Sequence, residues 1–488
     1  MNDAFVEPKP WTHQSQAVEM SLKQNSFGFL FDAGTGKTLA CILSLRRRYE
    51  KHGSLMSTLI LAPVIVLENW VDEIAKFSRI PLQKVVVLSG STEKRRKTLA
   101  EYRKKYDNNF IALTNYEILS TSRGMVTDIL AWGPTCLVID ESQKIKSIGS
   151  ERTKKVISIA DRATYKYIMT GTPVLNTPMD IFSQWRALDG GEAFGKNIFI
   201  FRNKYFYDKN ANMPRQNYFP NWVIRPDSYA EIKRLISLNS LRAKKEDCLD
   251  LPPLVRVRHN VEMGPDQTRH YNNMKNHFIS YLENSAIVVE IVLTKLMRML
   301  QITTGFMKDD NDVIWPFKDN PRERALKDLL EGIIPAHKVI VWCVFKENYT
   351  TVADVCKKLG VKYVECHGGI SNKDKYINVD LFNNDPDTRV FIGHPASLGI
   401  GINLCSASYS IVYSRSWSLE ADLQSEARNY RAGSEIHKTI TKIDLIAGNT
   451  IDAGIFNCLE SKLTDANKIV GFMKSYLKKD VLCQQELD

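Results

Sequence analysis

The stretch FGFLFDAGTGKT, residues 27–38, decides how this chain folds, because it joins an apolar run to a glycine-rich turn and a helical pattern. The run at 27–31 carries no charge, which is typical of a strand buried on both faces of a parallel sheet. Lys37 and Thr38 stand where the turn meets the helix. Strand, glycine-rich turn, Lys-Thr and helix in this order predict a phosphate-binding P-loop.

In a loop of this kind, backbone N–H groups surround phosphate oxygens, a lysine reaches the β and γ phosphates, and a hydroxyl ligates Mg²⁺. Lys37 and Thr38 are the candidates for these last two roles. Phe31 stands where the strict pattern has its first glycine, so a helix entry that happens to contain glycine and lysine remains the alternative. The predicted nucleotide-binding positions are Ala33, Gly34, Thr35, Gly36, Lys37 and Thr38.

A second strand-like run, CLVI at 136–139, ends in two adjacent carboxylates, Asp140 and Glu141. Two acids at the end of an apolar strand are costly unless a cation meets them, and a metal-bound nucleotide would do so. Asp140 would then hold Mg²⁺ through water, and Glu141 would orient or deprotonate the attacking water. A loop with two solvated acids is the alternative.

The first third of the chain alternates short apolar runs with helix-length segments, and this rhythm predicts a doubly wound α/β domain. Helices are predicted at 39–49, 66–77 and 92–106. The predicted domain covers residues 1–190. Strands are predicted at 27–31, 58–62, 85–88, 110–113, 136–139 and 167–169.

The rhythm stops after residue 190 and returns near residue 338, which predicts an aromatic-rich, helical insert at 191–320 without strands. Residues 321–488 would form a second α/β domain. Its predicted strands lie at 339–345, 363–366, 390–392, 409–413 and 439–446. The expected fold class is therefore α/β, with two parallel-sheet domains and a helical insert between them.

In the second domain, Gln424, Arg428 and Arg431 are spaced four and three apart and would share one face of a helix. Arg428 and Arg431 would reach a γ-phosphate across an interdomain cleft as arginine fingers. A solvated basic helix face is the alternative use of this spacing.

Composition excludes several protein classes. The 488 residues are 44% apolar and 25% charged, as in an ordinary globular protein, and the net charge of +11 suits a polyanionic partner. Nine scattered cysteines show no C-x-x-C spacing, which argues against a zinc knuckle or a disulfide scaffold. The N-terminal residues do not resemble a secretory signal, and no apolar run approaches the ~20 residues that span a bilayer. We therefore expect an intracellular soluble protein.

Eight segments, in order, resemble the motifs of superfamily-two helicases, and specifically those of the Swi/Snf-type DNA translocases. They extend over nearly the whole chain. The segments are PWTHQ at 10–14, GTGKT at 34–38, LAP at 61–63, TNYE at 114–117, DESQ at 140–143, TGTP at 170–173, GIGINL at 399–404, and Gln424, Arg428 and Arg431 with Gly433.

This resemblance implies two RecA-like domains, ATP and Mg²⁺ as cofactors, and movement along DNA, which we expect to be double-stranded. Gln14 would read the adenine edge, and Gly401 and Gln424 would also belong to the nucleotide site. It further implies a compact bacterial or phage-like member acting in the cytoplasm of a bacterium. The residues that it places near nucleic acid are Pro63, Asn115, Tyr116 and Ser397.

The chain departs from the family at the end of its acidic motif, where Ser142 and Gln143 replace the common Ala-His. Gln143 would take over the coupling to the TGTP motif. The sequence leaves open a strand-separating DNA or RNA helicase, a motor subunit of a restriction system, and a catalytically idle nucleic-acid-binding module.

Overall fold

The structure is a computed structural model that describes residues 7–122, 124–171, 178–213, 220–248, 251–284, 289–309, 313–396 and 402–461. These residues fall into two compact units. The first comprises the described residues up to Cys248, and the second comprises those from Leu251 onward. Each unit is built on its own parallel sheet.

The first unit contains a seven-stranded sheet in the order β3-β4-β2-β5-β6-β1-β9, in which every neighbouring pair is parallel. Its strands are β1 (Ser26–Phe31), β2 (Thr58–Leu61), β3 (Val85–Val87), β4 (Ile111–Thr114), β5 (Cys136–Asp140), β6 (Tyr165–Met169) and β9 (Ser240–Ala243). Its helices are α1 (Thr12–Leu22), α2 (Lys37–His52), α3 (Leu67–Phe77), α4 (Thr92–Tyr106), α5 (Glu117–Thr121), α6 (Met125–Trp132), α7 (Glu151–Ala160), α8 (Ile181–Asp189), α9 (Ile198–Tyr205), α10 (Ser228–Leu238) and α11 (Lys245–Cys248).

Alternate side chains of the central strands pack into separate cores on the two faces of this sheet. Leu59 and Leu137 belong to one core, whereas their neighbours Ile60 and Val138 belong to the other. Since successive side chains of a strand point to opposite faces, a strand buried on both faces must be apolar throughout. The continuous apolar runs in the sequence reflect this double burial.

The second unit contains a six-stranded sheet in the order β10-β17-β16-β13-β15-β14, which is again parallel throughout. Its strands are β10 (Leu254–Val261), β13 (Lys338–Trp342), β14 (Lys362–Cys366), β15 (Thr388–Gly393), β16 (Ala407–Val412) and β17 (Ile440–Ala447). Its helices are α12 (Pro265–Asn284), α13 (Val289–Thr303), α14 (Pro321–Ile333), α15 (Lys346–Lys358), α16 (Asn372–Asn384), α17 (Leu419–Glu426) and α18 (Ile451–Glu460). Two antiparallel pairs complete the described strands, β7 (Phe206–Asp208) with β8 (Trp222–Ile224) and β11 (Phe306–Lys308) with β12 (Ile314–Pro316).

The prediction of two parallel-sheet α/β domains is confirmed, but the expected absence of strands from 191–320 was wrong. Strand β9 adds to the edge of the first sheet beside β1, and β10 pairs with β17 along eight residues of the second. The chain therefore passes from the first sheet to the second within this region, and the region supplies one edge strand to each sheet. The domain boundaries at 190 and 320 stay a prediction.

Candidate functional site

The predicted P-loop connects β1 to α2 in the first unit. Gly34 and Gly36 have φ values of 88° and 78°, in the left-handed region that favours glycine. Gly36 is the N-cap of α2, so the loop delivers the free N–H groups of a 16-residue helix to the carboxyl end of the sheet. Phe31, which replaces the usual first glycine, is the last residue of β1 and is fully buried.

The ammonium group of Lys37 is buried against the backbone of its own loop. Its Nζ donates to the carbonyl of Phe31 at 2.9 Å and to that of Asp32 at 3.4 Å. The buried hydroxyl of Thr35 donates to the Asp32 carbonyl at 2.7 Å. Thr38 lies in the first turn of α2 and is partly exposed, as is Ala33.

Helix α1 holds the loop from one side through Gln14. Its Nε2 donates to the carbonyls of Thr35 at 3.2 Å and Gly36 at 3.4 Å, while its Oε1 accepts from the N–H of Trp11 at 2.8 Å. The ring of His13 also contacts the Thr35 carbonyl, at 2.9 Å. Gln14 is only 2% exposed, so it would have to give up these bonds to read an adenine edge, and that role stays a prediction.

The two predicted carboxylates lie together and are both buried. Asp140 ends β5, and Glu141 follows with φ of 52°, an uncommon backbone conformation that turns the chain sharply after the strand. Asp140 Oδ2 accepts from the indole Nε1 of Trp70 at 3.0 Å, and its Oδ1 accepts from the Glu141 N–H at 2.9 Å. Burial, and then the charge of Glu141, raise the pKa of Asp140 to about 7, although Trp70 and Lys37 oppose that rise.

The buried side chains of Ser142 and Gln143 hold the turn that carries Glu141. The Gln143 amide donates to Glu141 Oε2, and the hydroxyl of Thr170 donates to Gln143 Oε1 at 2.7 Å. Ser142 donates to Gln184 Oε1 on α8 at 2.6 Å. Gln143 therefore bonds to Thr170, the first residue of the TGTP segment, and its coupling role stays a prediction; Thr172 and Pro173 lie outside the described residues.

The first unit offers oxygen ligands of the kind that Mg²⁺ prefers, since Asp140 supplies a carboxylate and Thr38 a hydroxyl. Among the described residues, no group of three or more His, Cys, Asp and Glu side chains could hold a metal. Protein-bound Mg²⁺ commonly takes one or two such ligands and completes its shell with water and phosphate oxygens. The residues thus fit a nucleotide-bound Mg²⁺.

The residues predicted to lie near nucleic acid differ in how exposed they are. Pro63 and Asn115 follow strands β2 and β4 and are partly exposed. Tyr116 is only 1% exposed and its hydroxyl donates to the Asp140 carbonyl, and its place near nucleic acid stays a prediction. Ser397 lies outside the described residues.

In the second unit, the prediction that Gln424, Arg428 and Arg431 share one face of a helix was wrong. Helix α17 ends at Glu426, and the Arg428 carbonyl accepts the N–H of Leu404 at 2.9 Å instead of continuing the helix. Arg428 is buried, whereas Gln424 and Arg431 are partly exposed, and Arg431 donates to the Ile402 carbonyl at 3.4 Å. The arginines are therefore tied to the GIGINL segment, of which Gly401 lies outside the described residues.

Sequence reasoning missed two contacts to this site. Gln184 belongs to none of the recognised motifs, and no signal in the sequence connects it with Ser142. Trp70 lies on α3, and a buried indole N–H normally finds an acceptor, but the sequence does not show that Asp140 is that acceptor.

No helix in the described part of the chain is long and apolar enough to cross a membrane.

Comparison with known proteins identifies the family. The model of the SNF2-related domain matches residues 13–312, and the helicase conserved C-terminal domain matches 322–433. The chain is 26% identical over 478 residues to the CHD3-type chromatin-remodeling factor CHR7 of Arabidopsis thaliana, covering 94% of this chain but 36% of that protein. It is 25% identical over 480 residues to the uncharacterized ATP-dependent helicase MG018 of Mycoplasma genitalium, covering 96% of this chain and 43% of that protein.

A third relative has nearly the same length. The chain is 25% identical over 485 residues to the putative protein p41 of Acyrthosiphon pisum secondary endosymbiont phage 1, covering 96% of this chain and 98% of that protein. By contrast, the chain spans less than half the length of the plant and mycoplasmal relatives. Because the SNF2-related model matches more than half of its residues, the chain belongs to the SNF2-related family.

Proposed function

We propose that this protein is a DNA-dependent ATPase that hydrolyses ATP between its two RecA-like domains and moves along duplex DNA. The observation that carries the proposal is the arrangement in the first unit, where a glycine-rich loop holds a buried lysine whose charge acts on the buried carboxylate of Asp140, next to the buried Glu141. A lysine, a helix N-terminus and an acidic pair at the carboxyl end of a parallel sheet match the requirements of nucleotide hydrolysis.

Each side chain has a role in this proposal. ATP supplies the phosphoryl group and Mg²⁺ offsets its charge. Lys37 would exchange its carbonyl partners for phosphate oxygens, and Asp140 with Thr38 would hold the metal. Glu141 orients the attacking water or accepts its proton, while Gln143 fixes the Glu141 carboxylate.

The second unit would contribute Arg428 and Arg431, whose guanidinium groups would contact the γ-phosphate. Both retain the charge that this role needs at any physiological pH. Arg431→Ala should then lower turnover with little loss of ATP affinity. A large loss of affinity would mean instead that Arg431 binds ATP in the ground state.

Duplex DNA is the proposed track because the family resemblance extends over nearly the whole chain and a relative is named as a chromatin-remodeling factor. The excess of 11 positive charges also favours a polyanion. The helicase name of the mycoplasmal relative supports a motor as well, and strand separation is the second candidate. The phage and mycoplasmal relatives support our proposal that the protein works in a bacterial cytoplasm.

The test measures ATP turnover by the full chain with duplex DNA, single-stranded DNA and RNA, beside assays of triplex displacement and duplex unwinding. We expect duplex DNA to stimulate turnover and the protein to displace a triplex strand without separating the duplex. Unwinding would favour the strand-separating helicase. The absence of stimulation by any of the three nucleic acids would contradict the proposal.

A further inference from the structure

Two side chains reach Asp140 from the segments that were predicted to lie near nucleic acid. Trp70 lies on α3, the helix that follows Pro63, and its indole Nε1 donates to Asp140 Oδ2 at 3.0 Å. Tyr116 follows Asn115, and its hydroxyl donates to the backbone carbonyl of Asp140. The proposed metal ligand is thus held at its side chain by one segment and at its backbone by the other.

Both contacts are part of the packed interior. Trp70 and Tyr116 are each 1% exposed, and they belong to the cores on opposite faces of the first sheet. A buried indole or phenol must place its polar hydrogen on an acceptor, because an unpaired donor in an apolar core is destabilising. Burial also raises the pKa of the Tyr116 hydroxyl well above its usual range, so the hydroxyl is a donor at any physiological pH.

Each segment also has residues that a ligand could reach. Val64, in the turn before α3, is 47% exposed, and Pro63 is partly exposed. Asn115 is partly exposed, yet its Oδ1 is buried and has no hydrogen-bond partner among the described residues. A ligand that shifts either segment would therefore move a donor bonded to Asp140. Since Asp140 Oδ1 also accepts from the Glu141 N–H, such a shift extends to the backbone of Glu141.

We propose that Trp70 and Tyr116 are positioning residues that couple contact with DNA at the Pro63 and Asn115 segments to ATP hydrolysis at Asp140 and Glu141. This inference rests on the function proposed above, because it requires that duplex DNA stimulates turnover. The coupling passes through direct hydrogen bonds, and neither residue touches the DNA. The two residues therefore affect how strongly bound DNA accelerates hydrolysis, and not how tightly DNA binds.

The experiment compares Tyr116→Phe and Trp70→Phe with the wild-type chain. Tyr116→Phe removes one oxygen atom and keeps the ring, and Trp70→Phe removes the indole donor. Tyr167→Phe is the matched control, because Tyr167 is fully buried in the same sheet and its hydroxyl is bonded to Arg48, away from Asp140. For each protein, the turnover with saturating duplex DNA is divided by the turnover without DNA, and the Kd for DNA and the melting temperature are measured.

We expect this ratio to fall by about fivefold or more in Tyr116→Phe and Trp70→Phe, the lower end of typical allosteric coupling. The Kd for DNA should change by less than about twofold, because DNA contacts are intact. In Tyr167→Phe the ratio should match that of the wild type even if the melting temperature falls.

Other results overturn the inference. An unchanged ratio in both variants removes the coupling role, and a fall in one alone removes it for the other residue. A parallel loss of DNA affinity would make these residues binding residues, and an equal fall in Tyr167→Phe would make the effect one of general stability. If the wild-type chain is not stimulated by DNA at all, the proposed function fails before the coupling is tested.

Discussion

Replacing Gln143 by leucine tests how the turn after β5 prepares Glu141. Gln143 is 2% exposed, its amide donates to Glu141 Oε2, and its carbonyl oxygen accepts from Thr170. Gln143→Leu keeps a side chain of similar length but removes the donor. A hydrogen bond to a charged group contributes about 1.5–3 kcal/mol. If that bond fixes Glu141 in the transition state, its loss lowers kcat by about 10- to 150-fold, since about 1.4 kcal/mol corresponds to a factor of ten.

The assay is steady-state ATP hydrolysis with saturating duplex DNA, with kcat and KM determined separately. KM should remain within about twofold of the wild-type value, because an interaction made mainly in the transition state affects kcat. Gln143→His should recover part of the loss, since the imidazole also carries an N–H donor. Gln24→Leu is the matched control, because the Gln24 side chain donates to the Leu238 carbonyl on the unit's surface. A stable Gln143→Leu protein with kcat within about twofold of wild type would refute the reasoning.

Three further predictions concern the loop, the acidic pair and the second sheet. Gly36→Ala should weaken ATP binding, because the new Cβ would lie 1.9 Å from Gln14 Nε2 and because alanine in the left-handed region costs about 1–2 kcal/mol. ATP affinity is measured by titration, and an affinity equal to that of the wild type would contradict this prediction. The kcat/KM for ATP should fall as pH drops below about 7, because Asp140 then gains a proton in the free enzyme and loses the charge that would hold a metal. A fall that begins only near pH ~4 would contradict this, since it would mean that the pKa of Asp140 is that of an ordinary carboxyl group. Arg322→Met should lower the free energy of unfolding in denaturant titrations by about 1–3 kcal/mol or more, because it removes the hydrogen-bonded partner of the fully buried Asp452 and leaves the longer, 4.0 Å ion pair with Arg415; a loss below about 1 kcal/mol would count against this account.

The sheets could be predicted from the sequence because their central strands are buried on both faces. The run 136–139 is apolar throughout, and the run 58–62 is apolar after Thr58; the observed strands Thr58–Leu61 and Cys136–Asp140 differ from these runs by one residue. The predicted helix at 92–106 coincides with Thr92–Tyr106, whose N-cap Ser91 accepts the Lys94 N–H.

Edge strands were harder to predict because their patterns are weak. The segment SLRA of β9 has four residues and a charge, so it shows no apolar run. The segment LVRVRHNV of β10 does alternate apolar and polar residues at its start, which was a usable strand signal.

Contacts between residues that are distant in the chain could not be predicted from the sequence. The spacing of Gln424, Arg428 and Arg431 suits a helix, but the Leu404 N–H takes the Arg428 carbonyl and the helix ends earlier. The P-loop and the acidic pair carried recognisable patterns, whereas the bonds from Trp70 and Tyr116 to Asp140 depend on where the tertiary fold places α3 and the residues after β4 relative to the end of β5. Periodicity reports which residues are buried and does not report which buried donor meets which acceptor.

The most direct measurement of the central claim compares ATP binding and ATP turnover in Lys37→Ala and Glu141→Gln. The account predicts that Lys37→Ala loses nucleotide binding, because the loop loses the cation that would contact the phosphates. Glu141→Gln should bind ATP with near wild-type affinity and yet hydrolyse it at least about a hundredfold more slowly, as expected for loss of a general base. Wild-type turnover in Glu141→Gln, or undiminished ATP affinity in Lys37→Ala, would contradict the assignment of this site.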